Sequence, residues 1–171
     1  MQTVEKGSAI PLQQIADRMS ITEVIYKYCR AMDRIDAELG YSVWHEDSEA
    51  DYGAIFRGSG RGFIDWVCGV HRTMVSLSHR VSNVLISLEG DRAVSESSII
   101  ATLRRQDGGR LLQTMAWGRY LDHWSRRGGR WAIDRRLYLH DFDEVREITE
   151  TAMPGTGRND HEDPSYRVRV P

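Results

Sequence analysis

The sequence predicts an α+β fold in which helices pack on one face of a mixed or antiparallel sheet. In the first part of the chain, apolar residues recur at three- and four-residue steps, as in amphipathic helices. From His79 the apolar period changes to two, and glycine-containing turns divide the segment into strands. Helices followed by antiparallel strands are typical of the α+β class. The chain has no internal repeat, so we expect one domain at residues 1–153 and a tail at 154–171.

Two helices are predicted near the start of the chain. The first begins at Pro11, a residue favoured at the first helical position, and its apolar spacing is set by Leu12, Ile15 and Met19. The segment Ser20-Ile21-Thr22-Glu23 has the form of a capping box and predicts that a second helix begins there. Asp33 lies at the edge of the apolar stripe of this helix. The stripe comprises Ile21, Val24, Ile25, Tyr28, Cys29 and Met32.

The next segment is predicted to alternate between helix and strand. A short helix is expected around Asp36 to Tyr41, and His45-Glu46-Asp47 is interpreted as a loop. A strand is predicted at Glu49 to Phe56, and the turn-forming segment Gly58-Ser59-Gly60 follows it and ends it. Gly62 is expected to open a third helix, whose buried side comprises Phe63, Trp66, Val67, Val70 and Met74.

The second half of the chain is predicted to form four strands and a tail. The turns between the strands are Glu89-Gly90-Asp91, Asp107-Gly108-Gly109 and Arg127-Gly128-Gly129. The strands are expected at about His79–Leu88, Ala93–Arg105, Arg110–Ser125 and Arg130–Phe142. A short helical piece is expected from Asp143 to about Met153. The tail from Pro154 is expected to lie over the body or a neighbouring subunit, or to be disordered.

Composition excludes several classes of protein. The hydrophobic share of 40% and the charged share of 28% exclude a disordered chain. The 23 basic and 25 acidic residues give a formal net charge of -2, without the basic excess of a nucleic-acid binder. No apolar run approaches the ~20 residues that span a bilayer, and residues 1–14 lack the apolar centre of a secretory signal. Cys29 and Cys68 fall in apolar helical patterns, so we expect buried thiols in a reducing cytoplasm.

Several segments together resemble the SnoaL-like branch of the nuclear-transport-factor-2-like superfamily. They are a helix that ends in Asp33, a helix opened by glycine, and Ser78-His79-Arg80-Val81-Ser82-Asn83 at the start of a strand. Gly118-Arg119-Tyr120-Leu121-Asp122 and Gly129-Arg130-Trp131-Ala132-Ile133 follow. The resemblance extends from about Gln13 to Glu144. The pair Asp33 and His79 is similar to the His–Asp dyad of scytalone dehydratase and hexachlorocyclohexane dehydrochlorinase.

This resemblance implies a cone-shaped, curved sheet wrapped around N-terminal helices, with the pocket inside the cone. It implies that His79 removes a proton, that Asp33 orients His79, and that no metal or organic cofactor takes part. In the dehydrochlorinase an arginine five residues after the tryptophan of the last strand assists chloride departure, and the matching residue is Arg136. Where that enzyme has lysine or glutamine this chain has Tyr28, so we expect a more aromatic pocket. Relatives with the dyad are often trimers, which implies a homo-oligomer, with a trimer preferred over a dimer.

The last strands offer small and polar residues for a pocket. Strand alternation predicts two faces, one with Asp134, Arg136, Tyr138 and His140, the other with Trp131, Ile133, Leu137 and Leu139. On the neighbouring strand Ala116, Gly118 and Tyr120 share a face, where small residues leave room for a ligand. We expect substrate contacts from Tyr52, Ala116, Tyr120, Tyr138 and His140.

Other interpretations of the same residues stay open. Asp33 is otherwise a helix-end carboxylate that caps a nearby backbone group or pairs with Arg30. Arg136 is otherwise half of an ion pair on the sheet surface, with Asp134 or a glutamate. Tyr28 on an apolar stripe is a core residue by default, although a buried hydroxyl needs a partner.

The function expected from these residues is that of a small lyase. A histidine beside a carboxylate is a general base, because the carboxylate fixes the tautomer and stabilises the imidazolium. We expect His79 and Asp33 to eliminate water or hydrogen halide, or to release formaldehyde, assisted by Arg136 and Tyr28. The expected substrate is a small apolar or aromatic alcohol, diol or halide. An isomerase or polyketide cyclase is the first alternative, and a non-catalytic binding or structural subunit is the second. No metal site is expected, because His140, Asp141 and Asp143 match no usual ligand spacing.

Overall fold

The computed structural model describes residues 10–168 and confirms the α+β class. A curved, unclosed sheet of six strands wraps around the helices. The helices are α1 (Leu12–Arg34), α2 (Ala37–Ser42) and α3 (Gly60–His71). The strands are β1 (Trp44–Asp51), β2 (Arg57–Ser59), β3 (Ser76–Glu89), β4 (Arg92–Asp107), β5 (Arg110–Arg127) and β6 (Arg130–Glu147).

The sheet is mixed, with the strand order β2-β1-β6-β5-β4-β3. β1 pairs with β6 in parallel, and the other neighbours pair antiparallel. The core lies between the concave face of this sheet and the helices, where α1 packs against β3. That packing brings the end of α1 beside the beginning of β3. None of the helices in residues 10–168 combines the length and apolarity needed to cross a membrane.

A single helix, α1, replaces the two helices predicted near the start of the chain. The predicted capping box is wrong, because Ser20 Oγ donates a hydrogen bond of 2.9 Å to the Ala16 carbonyl inside the helix. The helix continues through Ser20 because Ile21 and Ile25 are buried in the core. Met19, the predicted partner of Val24 before the cap, is 68% exposed. The apolar stripe from Ile21 to Met32 is confirmed, with Val24 partly buried.

β1 begins earlier than predicted, at Trp44. His45-Glu46-Asp47 therefore belongs to the strand, because Trp44 pairs with Ile133 of β6, far away in sequence. Helix α3 begins at Gly60, and its N-cap is Ser59, whose Oγ accepts a hydrogen bond from the Gly62 amide. Its buried face differs from the predicted one: Trp66 is exposed and Met74 lies beyond the helix end, whereas Ile64, Cys68 and His71 are buried.

The four long strands and the turns between them are confirmed. Gly90, Gly108 and Gly128 adopt φ values of 58°, 56° and 58° in these turns, a conformation that favours glycine. The helical piece predicted after Asp143 is wrong. β6 instead continues to Glu147, which pairs with Leu112 of β5.

One extra residue in β6 changes which side chains face the core. Trp124 of β5 pairs with Ile133, whereas the preceding His123 pairs with Arg135, so Asp134 forms a β-bulge. Ile133 is consequently buried on the same face as Arg136. The prediction that Trp131 and Ile133 lie on the face opposite Arg136 is therefore wrong.

The described part of the tail packs on the ends of α1 and α2. Asp163 is buried, and its Oδ2 accepts a hydrogen bond from the Arg158 amide. Tyr166 lies in a short 3-10 helix at Pro164–Tyr166, and its hydroxyl donates a hydrogen bond of 2.7 Å to Asp36 Oδ2. Residues 1–9, in which no secretory signal was expected, and residues 169–171 of the tail lie outside the described residues.

Candidate active site

The fold brings Asp33 of α1 and His79 of β3 into direct contact. His79 Nδ1 lies 2.7 Å from Asp33 Oδ1, and the same oxygen accepts the His79 backbone N–H at 2.8 Å. The side chains of His79 and Asp33 are 8% and 18% exposed. Asp33 is held in the last turn of α1, which ends where Ile35 adopts φ 50°. The two residues thus meet although 46 positions separate them in sequence.

This contact fixes the tautomer of the neutral His79 ring. An ionised carboxylate can only accept hydrogen bonds, so Nδ1 carries the proton and donates it to Asp33. The Nε2 atom then holds the free lone pair. A lone pair of this kind is what a general base requires, and the carboxylate stabilises the imidazolium that forms when Nε2 takes a proton.

His79 borders a cavity of about 290 Å³ inside the sheet. The wall is mainly apolar and aromatic, the lining typical of sites that bind small molecules. The structure places six further predicted site residues in this wall: Tyr28, Tyr52, Ala116, Tyr120, Tyr138 and His140. Of the predicted residues, Asp33 contacts the cavity only through His79, and Arg136 lies behind the wall.

Two tyrosine hydroxyls form a polar point in this apolar wall. The hydroxyls of Tyr28 and Tyr52 lie 2.8 Å apart, and both side chains are buried. The Tyr52 ring stacks on Phe63 at 4.0 Å between ring centroids, which fixes the position of its hydroxyl. Burial raises the pKa of both hydroxyls, well above the ordinary value in the case of Tyr28. Both therefore keep their protons near neutral pH and can donate hydrogen bonds.

Arg136 is fully buried behind these tyrosines. Its Nε and Nη2 donate to the two oxygens of Asp122 at 2.7 and 2.8 Å, and both side chains are 0% exposed. The guanidinium carbon lies 3.9 Å from the ring centroid of Tyr120 and 4.3 Å from that of Tyr28. Burial is the largest single influence and opposes the charge, but Asp122, Tyr52 and Tyr28 together hold the pKa of Arg136 well above its ordinary range. A permanent positive charge thus lies against the cavity wall.

Gly118 packs against Tyr138, a residue of the cavity wall. A Cβ atom at Gly118 would lie 2.4 Å from the Leu139 carbonyl oxygen and 2.6 Å from the Tyr138 ring. The space that the small residue provides is therefore filled by Tyr138. The Tyr138 hydroxyl lies 3.3 Å from His140 Nδ1, at an exposed position.

His71, in the last turn of α3, was not predicted as a site residue. It lines the cavity, and its ring centroid is 5.7 Å from that of His79. Burial lowers the pKa of His71 to about 4, so its ring is neutral near neutral pH. The sequence did carry a signal, since Phe63, Val67 and His71 recur at four-residue steps.

The two cysteines lie as expected in buried positions, as free thiols. Burial raises the pKa of Cys29 to about 12, which makes the thiol unreactive near neutral pH. Within residues 10–168, no three His, Cys, Asp or Glu side chains are grouped in a way that could hold a metal ion.

Comparisons with known proteins agree with this architecture. Residues 13–137 match the family described as SnoaL-like domain. No curated protein is a significant match to the chain.

Solved structures with the same fold come from several kinds of protein. A protein assigned as a scytalone dehydratase from Novosphingobium aromaticivorans has a TM-score of 0.69 and 21% identity, over 85% of this chain and 96% of that chain. A hexachlorocyclohexane dehydrochlorinase of type 3 from Novosphingobium barchaimii has a TM-score of 0.70 and 15% identity, over 84% of this chain and 98% of that chain. The beta subunit of a protein assigned as an aromatic-ring-hydroxylating dioxygenase from Novosphingobium aromaticivorans has a TM-score of 0.63 and 19% identity, over 77% of this chain and 93% of that chain. At these identities the likeness is one of fold.

Proposed function

The chain belongs to the SnoaL-like domain family, and we propose that it is a cofactor-independent lyase acting on a small apolar or aromatic substrate. The observation that carries this proposal is the hydrogen bond between Asp33 and His79 at the wall of an apolar cavity. A non-catalytic subunit does not need a histidine held by a carboxylate beside such a cavity. The pair and the cavity together therefore favour an enzyme over the structural alternative.

In the proposed elimination, His79 Nε2 takes a proton from the carbon next to the one that bears the leaving group. The electron pair of that C–H bond forms the new double bond, and the hydroxyl group departs and takes up a proton to leave as water. Asp33 stabilises the imidazolium during this step. Proton transfer of this kind contributes roughly 10²–10⁴-fold to the rate.

Tyr28 and Tyr52 are proposed to act as a pair: one hydroxyl donates to the other, and the accepting hydroxyl donates to the departing oxygen or to an oxygen of the intermediate. Their protonated hydroxyls lie on the wall of the same cavity as His79. Arg136 is proposed to act through these tyrosines. Its charge offsets part of the burial effect on the pKa of Tyr52, which makes that hydroxyl a better donor.

The same groups suit the release of formaldehyde from an aromatic diol. There His79 takes the proton of the terminal hydroxyl, and the O–H electron pair forms the carbonyl of formaldehyde as the C–C bond breaks. The electron pair of that C–C bond forms a new double bond to the neighbouring carbon, whose hydroxyl group departs, takes up a proton and leaves as water. The aromatic cavity wall supports an aromatic substrate for either reaction. Isomerisation and polyketide cyclisation use the same base and remain alternatives within the proposal.

We also propose a homo-oligomer, with a trimer preferred over a dimer, and a cytoplasmic location. A partly exposed aromatic pair supports the assembly, since Phe142 is largely exposed and stacks on the partly buried Trp117 at 4.9 Å between ring centroids. Light scattering on the purified protein distinguishes the two assemblies. The two free, buried thiols fit a reducing compartment.

The test is turnover of a panel of 1-arylethane-1,2-diols, 1-arylpropane-1,3-diols and matching chlorides, with products identified by mass spectrometry and formaldehyde measured separately. We expect the wild-type protein to convert a diol, and His79→Gln to lose roughly 10²–10⁴-fold of that rate while it keeps its fold. Equal rates in the two proteins would overturn the proposal. Release of formaldehyde would select C–C cleavage, and loss of water without formaldehyde would select dehydration.

A further inference from the structure

A second histidine, His71, borders the same cavity but takes no part in the proton transfer described above. Its side chain is 5% exposed and lies in the last turn of α3. His71 Nδ1 is 3.2 Å from the carbonyl oxygen of Met32 in α1. Its ring is tilted by 41° to that of His79, with 5.7 Å between centroids. Two imidazoles therefore meet at one end of the cavity.

The hydrogen bond to Met32 fixes the tautomer of His71. A carbonyl oxygen can only accept, so Nδ1 carries the proton and Nε2 holds the free lone pair. Nε2 forms no hydrogen bond to any residue within 10–168. The environment also keeps the ring uncharged, because burial and the neighbouring His79 both lower the pKa of His71, to about 4. His71 thus presents an acceptor that stays neutral near neutral pH.

The other polar groups of the cavity make this acceptor distinctive. One hydroxyl of the pair Tyr28 and Tyr52 donates to the other, and the accepting hydroxyl can donate to a ligand. His79 Nε2 is committed to the substrate proton in the proposed reaction. His71 Nε2 is consequently free to bind a group that carries a hydrogen-bond donor.

We propose that His71 Nε2 accepts a hydrogen bond from a hydroxyl group of the substrate and thereby selects an alcohol over a halide or a hydrocarbon. This inference rests on the proposed function, because it assigns the substrate class for the same cavity. A chloride cannot donate a hydrogen bond, so a halide would leave the buried acceptor unpaired, at a cost in affinity.

Binding of three matched probes tests this inference without turnover. The probes are 2-phenylethanol, propylbenzene and (2-chloroethyl)benzene, titrated into the full-length protein and followed by NMR. We expect 2-phenylethanol to bind about three- to tenfold more tightly than the other two, as one hydrogen bond provides. In protein labelled with ¹⁵N, the His71 Nε2 resonance is expected to shift with 2-phenylethanol and to stay in place with propylbenzene.

Variants locate the preference. His71→Leu is expected to bind the three probes equally, and His71→Gln, which offers an amide oxygen, to regain part of the preference. The matched control is His45→Leu, which removes another buried histidine, one that bonds the Ser125 carbonyl away from the cavity. This control is expected to keep the preference.

The outcomes separate this inference from the proposed lyase. Equal binding of the probes by wild-type protein, absence of binding included, would overturn it, as would an unmoved His71 Nε2 resonance at saturating 2-phenylethanol. That resonance decides the question even if His71→Leu does not fold. A preference lost in His71→Leu, without turnover of any diol, would uphold the inference and refute the lyase. Turnover of a diol by the wild-type protein, together with an unchanged preference for 2-phenylethanol in His71→Leu, would uphold the lyase and refute the inference about His71.

Discussion

Asp33 Oδ1 accepts two hydrogen bonds from a single residue, His79: one from its backbone N–H at 2.8 Å and one from Nδ1 at 2.7 Å. The first bond ties the end of α1 to β3, and the second sets the orientation of the imidazole. One carboxylate oxygen therefore both connects two elements of the fold and positions the proposed catalytic histidine. The pair is held before any ligand arrives, which is the preorganisation that proton transfer requires.

Asp33→Asn is expected to reduce the rate of elimination by roughly 10²–10⁴-fold, because the amide removes the charge that stabilises the imidazolium. The amide oxygen can still accept the His79 backbone N–H, so the fold is expected to survive. Steady-state rates and circular dichroism measure the two effects. Full activity in the folded variant would show that Asp33 has a structural role only.

Arg136→Met is expected to cost about 3–5 kcal/mol of unfolding free energy, because Asp122 is left charged and unpaired in the core. The double variant Arg136→Met/Asp122→Leu is expected to recover most of this loss. Arg119→Met is a control, since Arg119 bonds Asp141 at an exposed position and such pairs contribute about 1 kcal/mol or less. Urea unfolding measures all three, and similar losses in Arg136→Met and Arg119→Met would contradict the expectation.

Gly118→Ala is expected to destabilise the protein by about 1–3 kcal/mol, since the new Cβ would collide with the Leu139 carbonyl and the Tyr138 ring. Displacement of Tyr138 should also weaken ligand binding in the cavity. Gly69→Ala is the matched control: nothing lies within 4 Å of its added Cβ, and alanine favours the helix by up to ~1 kcal/mol. Thermal unfolding compares the two, and a Gly118→Ala variant as stable as Gly69→Ala would refute this account of the packing at Gly118.

His71 is expected to make the protein less stable as the pH falls from about 6.5 to about 4. Its pKa is lower in the folded state than in the unfolded chain, so the unfolded chain binds the proton first and unfolding is favoured in that window. The full effect is about 3 kcal/mol. The informative quantity is the difference in unfolding free energy between wild type and His71→Leu, followed across this pH window. Parallel stability curves for the two proteins across this window would contradict the prediction.

Most of the fold was predictable from apolar periodicity and turn residues, because these patterns depend only on residues close together in the sequence. The four long strands follow from alternation and from turns that need glycine at positive φ. The capping box at Ser20 failed because its neighbour Ile21 is buried along a continuous helix, and burial outweighs a local cap. The start of β1 at Trp44 was missed because it depends on pairing with the distant Ile133.

The site was predictable only in part. The contact between Asp33 and His79 follows from no spacing along the chain, and family resemblance alone suggested it. Asp134 forms a bulge only when β6 is paired with β5, so alternation along one strand misplaced Arg136 relative to Ile133. The four-residue spacing places His71 on the apolar face of α3, but spacing alone does not distinguish a histidine that lines a cavity from one packed in the core.

The measurement that tests the central claim most directly is the ¹⁵N spectrum of the His79 imidazole in its neutral form, which requires no substrate. The account predicts a protonated Nδ1 and an unprotonated Nε2, with this tautomer weakened in Asp33→Asn. A proton on Nε2 of neutral His79 in the wild-type protein would contradict the account, because the ring nitrogen that is not bonded to Asp33 would then have no lone pair to accept a substrate proton.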